Sequence, residues 1–289
     1  MALQHRHQFE AIGTPWIIET DTPLSTVKMQ RIDEIIDEFD QVYSRFRADS
    51  LVSRARVEAP GSFVFPDSIA KLYDTYVALE RITNGAVNPL VGSALEHWGY
   101  DAQYSLKPTE AAPPKPASLA KTIARAGPVL TYREPVLLDI GAIGKGYLID
   151  MVAEYMAQHH VYYVIDAGGD MAISTATPYV IGLEHPLDFT RVIGKVSLRD
   201  QSICGSSPNR RAWGEGLHHI IDGTTGRPAK NDIIATWAIA NTTMLADALA
   251  TALFFVSAAT LAHHFGDFQH VIMRADMSVE YKQGAVTIV

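Results

Sequence analysis

Val136-Leu-Leu-Asp-Ile140, the glycine-rich run from Gly141 to Gly146, Tyr147 to His160, and Val161-Tyr-Tyr-Val-Ile-Asp-Ala167 follow one another in mid-chain. Their patterns predict a short buried strand, a turn, a helix and a second strand, the last broken by Gly168-Gly169-Asp170. Beyond them, Tyr179-Val-Ile-Gly-Leu183 and Val192-Ile-Gly-Lys-Val-Ser-Leu198 read as hairpin strands, and His218-His-Ile-Ile-Asp222 as a strand before an apolar helix around Asp247. Val271-Ile-Met273 and Val286 to Val289 close the chain as strands. Mixed strands and helices without a strict βαβ alternation point to the α+β class. No internal repeat recurs at a fixed period.

Upstream, Leu24, Val27, Ile32, Ile35, Phe39, Val42 and Phe46 recur at helical spacing, with Thr22-Pro23 as start signal. A second helix carries Ile69, Leu72, Tyr76 and Leu79 on one side, with Asp67-Ser68 to cap it and Asn84-Gly85 to end it. Lys107 to Ser118 contains four prolines, which fix φ and remove donors, so it reads as an exposed loop inside a single domain spanning residues 1–289.

At 289 residues, 47% hydrophobic and 19% charged, the chain is long enough to bury a full core. A net charge of −8 argues against non-specific nucleic-acid binding, which needs clustered cations, so an anionic ligand must be met locally. The lone Cys204 excludes a disulfide framework within the chain and cysteine-rich zinc sites. The first ten residues contain no apolar signal segment or lipidation cysteine, which makes a cytoplasmic location the expectation, or a periplasmic one if a leader has been removed. The longest apolar stretch, Ala248 to Ala259, is too short to span a bilayer.

Asp247 and Thr251 are four residues apart in the otherwise apolar run Met244 to Val256. On a helix both oxygens share one face, and a carboxylate in such surroundings needs a cation or strong donors. The pair suits a magnesium site; an Asp capping a neighbouring loop has the same spacing. The strand-turn-helix around Lys145 resembles a phosphate loop but fits neither standard pattern, since Gly146 follows the lysine and Ile149 stands where a dinucleotide fingerprint has its third glycine. A tight turn with a solvated lysine fits equally. His219 and Asp222, three apart in an extended strand, point to opposite faces, so they imply no simple dyad, and such residues often hydrogen-bond a turn. The pairs His159-His160, His218-His219 and His263-His264 have no zinc-like spacing and read as surface or turn histidines.

Taken together, these segments resemble the FAD:protein FMN transferase family, also called ApbE or flavin transferases, in order from about Ala11 to Phe255. Ala11-Ile-Gly-Thr14 is similar to the family's Met-Gly-Thr element, Ser44-Arg-Phe-Arg-Ala-Asp-Ser50 to its Ser-x-Phe/Tyr-x-x-x-Ser, and Gly85-Ala-Val-Asn-Pro89 to Gly-Ala-Phe-Asp-Pro. Asp139 to Asp150 is similar to Asp-x-Gly-x-x-x-Lys-Gly-Tyr-x-x-Asp, and Ala167-Gly-Gly-Asp170, the His219 to Pro228 stretch and Ala246 to Thr251 complete the set. Ile12 and Asn88 depart from the family's Met and Asp, and Cys204-Gly-Ser206 from its Thr-Ser-Gly.

The resemblance implies largely antiparallel sheets with packed helices in a T-fold-like architecture. It implies that FMN passes from FAD to a Ser or Thr hydroxyl of an acceptor flavoprotein while AMP departs. Mg²⁺ is then held by Asp247, Thr251 and the Ala142 carbonyl, and FAD is contacted by Phe46, Ala86, Val87, Asn88, Asp139, Lys145 and Ile221. His219 is the candidate general base, its alternative being a structural hydrogen bond in the turn. The residues leave two other functions open: a metal-dependent FAD pyrophosphatase giving FMN and AMP, and a non-catalytic flavin carrier.

Overall fold

The computed structural model describes residues 3–159, 162–284 and 286–288. The expected helix end at His160, strand start at Val161 and strand end at Val289 lie outside the described residues. The helices are α1 (Thr26–Tyr43), α2 (Leu51–Glu58), α3 (Ile69–Ile82), α4 (Gly92–His97), α5 (Leu119–Thr122), α6 (Gly144–Ala157), α7 (Thr243–Ala252) and α8 (Ala258–Phe265). Among the described residues none is long and apolar enough to cross a membrane. The chain forms two compact units, one from residues up to Asp37, Ile143–Arg210 and Asp232 onward, the other from Glu38–Ala142 and Arg211–Asn231.

An antiparallel sheet of eight strands organises the first unit: His5–Ala11, Thr14–Thr20, Tyr163–Ala167, Asp170–Ser174, Gln201–Ser206, Ile233–Ala240, Gln269–Arg274 and Val279–Tyr281, side by side in chain order. Strand alternation sorts its side chains onto two faces. Ile203, paired with Ile239, faces a core that holds Val164, Met171, Ile173, Val271 and Met273 together with Leu183, Val196 and Leu198 of the three-stranded sheet formed by Tyr179–His185, Asp188–Leu198 and Val286–Ile288. Ser202 and Cys204, one residue either side, point the other way and meet α7 through Thr243, at 2.9 Å between the two hydroxyls and 3.4 Å from the thiol to the Thr243 carbonyl. The helix covering this face explains why Ala238, Ala246, Ala248 and Ala250 are all small and buried.

In the second unit, α3 buries Ile69, Leu72, Tyr76 and Leu79 at the expected helical period, and a three-stranded sheet runs Gly61–Val64, Val129–Tyr132, Ile123–Ala126. A second cluster packs Leu95, Tyr100, Trp213 and Ile221. Residues 107–118 form a loop with no regular element, as expected from their prolines.

Several expectations are corrected. Val136 to Ile140 is not a strand: Leu137 and Leu138 are buried, but the Asp139 amide donates to the Pro89 carbonyl (2.7 Å) instead of entering a ladder. A Cβ on Gly92 would meet the Leu137 carbonyl at 2.8 Å, so the segment is apolar because α4 packs on it. Nor is His218 to Asp222 continuous: Leu217–His218 pairs with Ala212–Trp213, then Ile221–Asp222 pairs with Arg227–Pro228. The chain changes partner at His219-Ile220, so the two-faced argument for His219 and Asp222 does not apply. At α1 the cap is the Ser25 hydroxyl, accepting from the Lys28 amide (3.3 Å), not Thr22-Pro23. Ser68 makes no cap bond and its hydroxyl lies 3.5 Å from that of Tyr43. The end of α3 does use positive φ at Asn84 (51°) and Gly85 (91°).

Candidate functional site

Asp247 occupies the middle of α7 and is only 5% exposed. Its Oδ2 accepts from the Gly146 amide at 2.9 Å. Gly146 is in the first turn of α6, where amides lack partners within the helix and where the N-cap residue Ile143 offers no side-chain bond. Asp247 therefore caps α6 from a neighbouring helix, and the positive end of α6 stabilises the buried carboxylate. The approach needs a glycine: a Cβ at 146 would meet the Thr243 carbonyl oxygen at 2.4 Å and the Asp247 Cβ at 2.8 Å. Asp150, one turn further along α6, ties the pair together by accepting from the Thr243 (2.7 Å) and Met244 (3.0 Å) amides, while Thr242 caps α7 by accepting from Leu245 (3.3 Å).

Lys145 forms an ion pair with Asp170, which is 1% exposed and whose other oxygen accepts from the Gly205 amide at 3.1 Å. Thr251, one turn beyond Asp247, lies 3.3 Å from the Ser206 hydroxyl. Burial first, then the negative charge of Asp247, holds the Cys204 thiol well above its ordinary range, so this cysteine stays an unreactive packing residue. Burial likewise raises Asp166, against the Gly169 amide bond and the charges of Lys145 and Arg210. Ser206 also lines a cleft of about 340 Å³ with Gly168, Gly169, Gly205, Arg210 and Trp237. The tight Ile12-Gly13 turn, flanked by the paired Ala11 and Thr14, holds both residues at positive φ (46° and 71°). That is a conformation of Asn-Gly and strains a β-branched residue.

The second unit holds the other predicted positions. Asp139 is engaged twice, Oδ2 by the Arg45 guanidinium (2.5 Å) and Oδ1 by the Gly141 amide (2.7 Å). Arg45 is 6% exposed, donates also to the Tyr100 carbonyl (2.8 Å), and lies 4.2 Å from the centroid of the Phe46 ring. Asn88 accepts from the Leu90 amide and donates to the Ala117 carbonyl, each at 2.8 Å. The Gly223 amide donates to the Ala86 carbonyl (2.8 Å), and a Cβ at 223 would meet the Asn88 Cβ at 2.7 Å, so the 85–88 loop and the turn after Ile221 are pressed together; Val87 is buried. Ala142 lies in the turn 141–143.

His218 is held through both ring nitrogens. Its Nδ1 accepts from the Ile220 amide (3.3 Å), so Nε2 carries the proton and donates to the Ala229 carbonyl (3.2 Å). Burial lowers its pKa and keeps it neutral. His219, half-buried in the bend between the two short ladders, has its amide bound to the Arg211 carbonyl (3.3 Å).

The structure thus brings Asp247, Thr251 and Lys145 together in one unit, and Phe46 and Asp139 together through Arg45 in the other. Gly146, Asp150 and Asp170 stand in the quoted motifs but had no predicted role, and Arg45 had none either. Their work is done across elements, and only the Gly-Gly and Lys-Gly pairs hint at close approach. Asp247 and Thr251 are both oxygen donors one turn apart on α7, the donor type that suits a hard cation; among the described residues no group of three or more His, Cys, Asp or Glu side chains is placed to hold a metal. One carboxylate and one hydroxyl, with remaining positions left to water and substrate oxygens, is a donor set of the magnesium type.

Comparison with known proteins adds a family. The sequence matches the ApbE family model over residues 12–270. It is 27% identical over 237 residues to the FAD:protein FMN transferase of Vibrio cholerae serotype O1 (strain ATCC 39541 / Classical Ogawa 395 / O395), covering 77% of this chain and 71% of that one. It is 25% identical over 270 residues to the FAD:protein FMN transferase of Salmonella typhimurium, covering 84% and 76%. The ApbE protein of Thermotoga maritima superposes with a TM-score of 0.84 at 22% identity, covering 96% of this chain and 97% of that one. The flavin transferase ApbE of Vibrio cholerae superposes at 0.80 with 21% identity, covering 96% of each. The α+β architecture with antiparallel sheets is shared with these structures.

Proposed function

Because this chain belongs to the ApbE family, we propose that it transfers FMN from FAD to a Ser or Thr hydroxyl of an acceptor protein, with Mg²⁺ and with release of AMP. The observation that carries this reading is the buried Asp247 carboxylate, oriented by the Gly146 amide one helical turn before the Thr251 hydroxyl. In phosphoryl transfer the protein mainly positions groups and neutralises charge. A bound Mg²⁺ held by Asp247 and Thr251 supplies Lewis-acid polarisation of phosphoryl oxygen.

The remaining work falls to the chain's own groups. The bond formed joins the acceptor oxygen to the FMN phosphorus, and the bond broken joins that phosphorus to the bridging oxygen, which leaves with AMP. In this reading His219 takes the acceptor's hydroxyl proton. Lys145, with its ammonium paired to Asp170 at the start of α6, brings positive charge toward an anion.

The test is incubation with FAD and MgCl₂, with and without a flavoprotein acceptor, reading AMP by chromatography and covalent flavin by in-gel fluorescence. Transfer gives AMP together with a fluorescent acceptor band. Equal free FMN in both tubes indicates hydrolysis instead, and FAD retained without AMP indicates a carrier. Asp247→Asn should abolish Mg²⁺-dependent AMP release with the fold intact; wild-type release from that variant overturns the metal assignment.

A further inference from the structure

In the second unit the rings of Phe46 and Tyr104 lie 7° from parallel with centroids 5.1 Å apart, and Tyr100 meets both edge-on at 5.4 and 5.5 Å. The two stacked residues are held very differently. Phe46 adjoins a braced cluster, since the Arg45 guanidinium beside it is fixed on Asp139 and on the Tyr100 carbonyl, and Tyr100 in turn stacks on Trp213. Tyr104 is 50% exposed, on a loop without regular structure, and its φ of 50° is in the left-handed region that suits glycine or asparagine. Leu106, two residues on, is also exposed and also left-handed, at 52°. The loop itself is pinned by the Asp101 carboxylate, which accepts from the Gln103 and Ser105 amides at 3.0 Å, and by the Leu106 amide on the Gly99 carbonyl at 2.8 Å.

An exposed aromatic side chain on a strained backbone, laid flat on a firmly held ring, occupies the position a planar ligand would take. The family resemblance already sets Phe46 against FAD; we propose that Tyr104 is the placeholder on that ring, stacked there in the ligand-free protein and giving way when the planar ring of the ligand arrives in this slot. The inference rests on the flavin-transfer reading and adds a residue outside the motifs of the family resemblance. Displacement needs only a turn of the half-exposed Tyr104 side chain, with the loop backbone kept in place, and a new ring replaces the lost stacking. Apparent affinity is reduced by the fraction of molecules in which the slot is open. A single aromatic stack favours the closed state by roughly 3- to 10-fold.

Tyr104→Asn removes the ring and keeps a residue that accepts positive φ, so the loop is not destabilised, and Tyr104→Phe keeps the ring. FAD binding to the full-length protein is measured by flavin fluorescence, with riboflavin and adenosine titrated separately to show which of the two rings uses the slot. The expected result is FAD binding about 3- to 10-fold tighter in Tyr104→Asn, with faster association, and wild-type binding in Tyr104→Phe. Unchanged or weaker binding in Tyr104→Asn, when the wild type binds FAD, overturns the placeholder and leaves the transferase reading standing. Failure of the wild type to bind FAD overturns both.

Discussion

Replacing Gly146 by alanine sets two physical arguments against each other. Gly146 is within α6, and in an exposed helix the change to alanine is favourable by about 1 kcal/mol. Here the new methyl would sit 2.4 Å from the Thr243 carbonyl oxygen, 2.7 Å from its carbon and 2.8 Å from the Asp247 Cβ, none of them the yielding end of a long side chain. Relief requires α6 and α7 to part at their closest point. Overpacking of this kind costs about 1–3 kcal/mol. The same displacement stretches the 2.9 Å bond from the Gly146 amide to Asp247, and losing a hydrogen bond to a charged group costs about 1.5–3 kcal/mol. Subtracting the helix-propensity gain leaves a net destabilisation of about 1.5–5 kcal/mol. Urea unfolding followed by far-UV circular dichroism measures it, as a lower midpoint with unchanged slope. Because Asp247 loses its orienting donor, AMP release should fall with stability and should not recover at high Mg²⁺. A Gly146→Ala protein as stable as the wild type would refute the reasoning, since it would mean that the helix pair opens without cost.

Three further outcomes follow from the same geometry. Asp150→Ala removes the acceptor of the Thr243 and Met244 amides and should cost about 1–2 kcal/mol in urea unfolding; Asp150→Asn, which keeps one acceptor oxygen, should recover part of it. Ile12→Asn places a residue suited to positive φ in the first hairpin and should raise stability by about 1 kcal/mol in the same assay, with a lower midpoint showing that Ile12 packing outweighs its strain. Burial lowers the pKa of His218, so between its folded value and the ordinary 6.5 the unfolded chain binds more protons. Its contribution is complete above the unfolded value and declines as pH falls toward the folded one, by at most about 1.4 kcal/mol per pH unit. Thermal melts from pH 7.5 down to 5.5 should show that decline in wild type and a shallower one in His218→Gln.

What was legible in the sequence depended on whether the signal was local. Hydrophobic period placed α1 and α3, and alternation placed the 179–198 hairpin, because those elements bury one face, whereas α7, buried on nearly every side, showed only as an apolar run around Asp247. The hairpin at the N-terminus escaped notice because its turn is Ile12-Gly13, without the Asn or Asp that advertises such turns. The strands Gln201–Ser206 and Ile233–Ala240 are buried on both faces and carry no alternation. Helix α2 has only two buried residues, Val52 and Ala55, and so offers little periodicity. Among the candidate positions, Asp247 and Thr251 stand out in the sequence because a carboxylate in an apolar run is costly unless answered. Arg45 does not, since the carboxylate and the carbonyl it binds come from residues 139 and 100. The two ring bonds of His218 are likewise invisible, being decided by how the backbone bends between two ladders.

The order of strands in the large sheet bears on how the chain is made. Thr20 pairs with Tyr163, and 163 − 20 = 143 residues separate them. During synthesis the first hairpin emerges with the outer edge of Thr14–Thr20 lacking its partner, and at ribosomal speed the missing strand follows roughly 10–30 s later. A bare strand edge is a template for pairing with other chains over that interval. Yield of folded protein should therefore respond to translation rate and chaperone supply more than to the final stability of the native state.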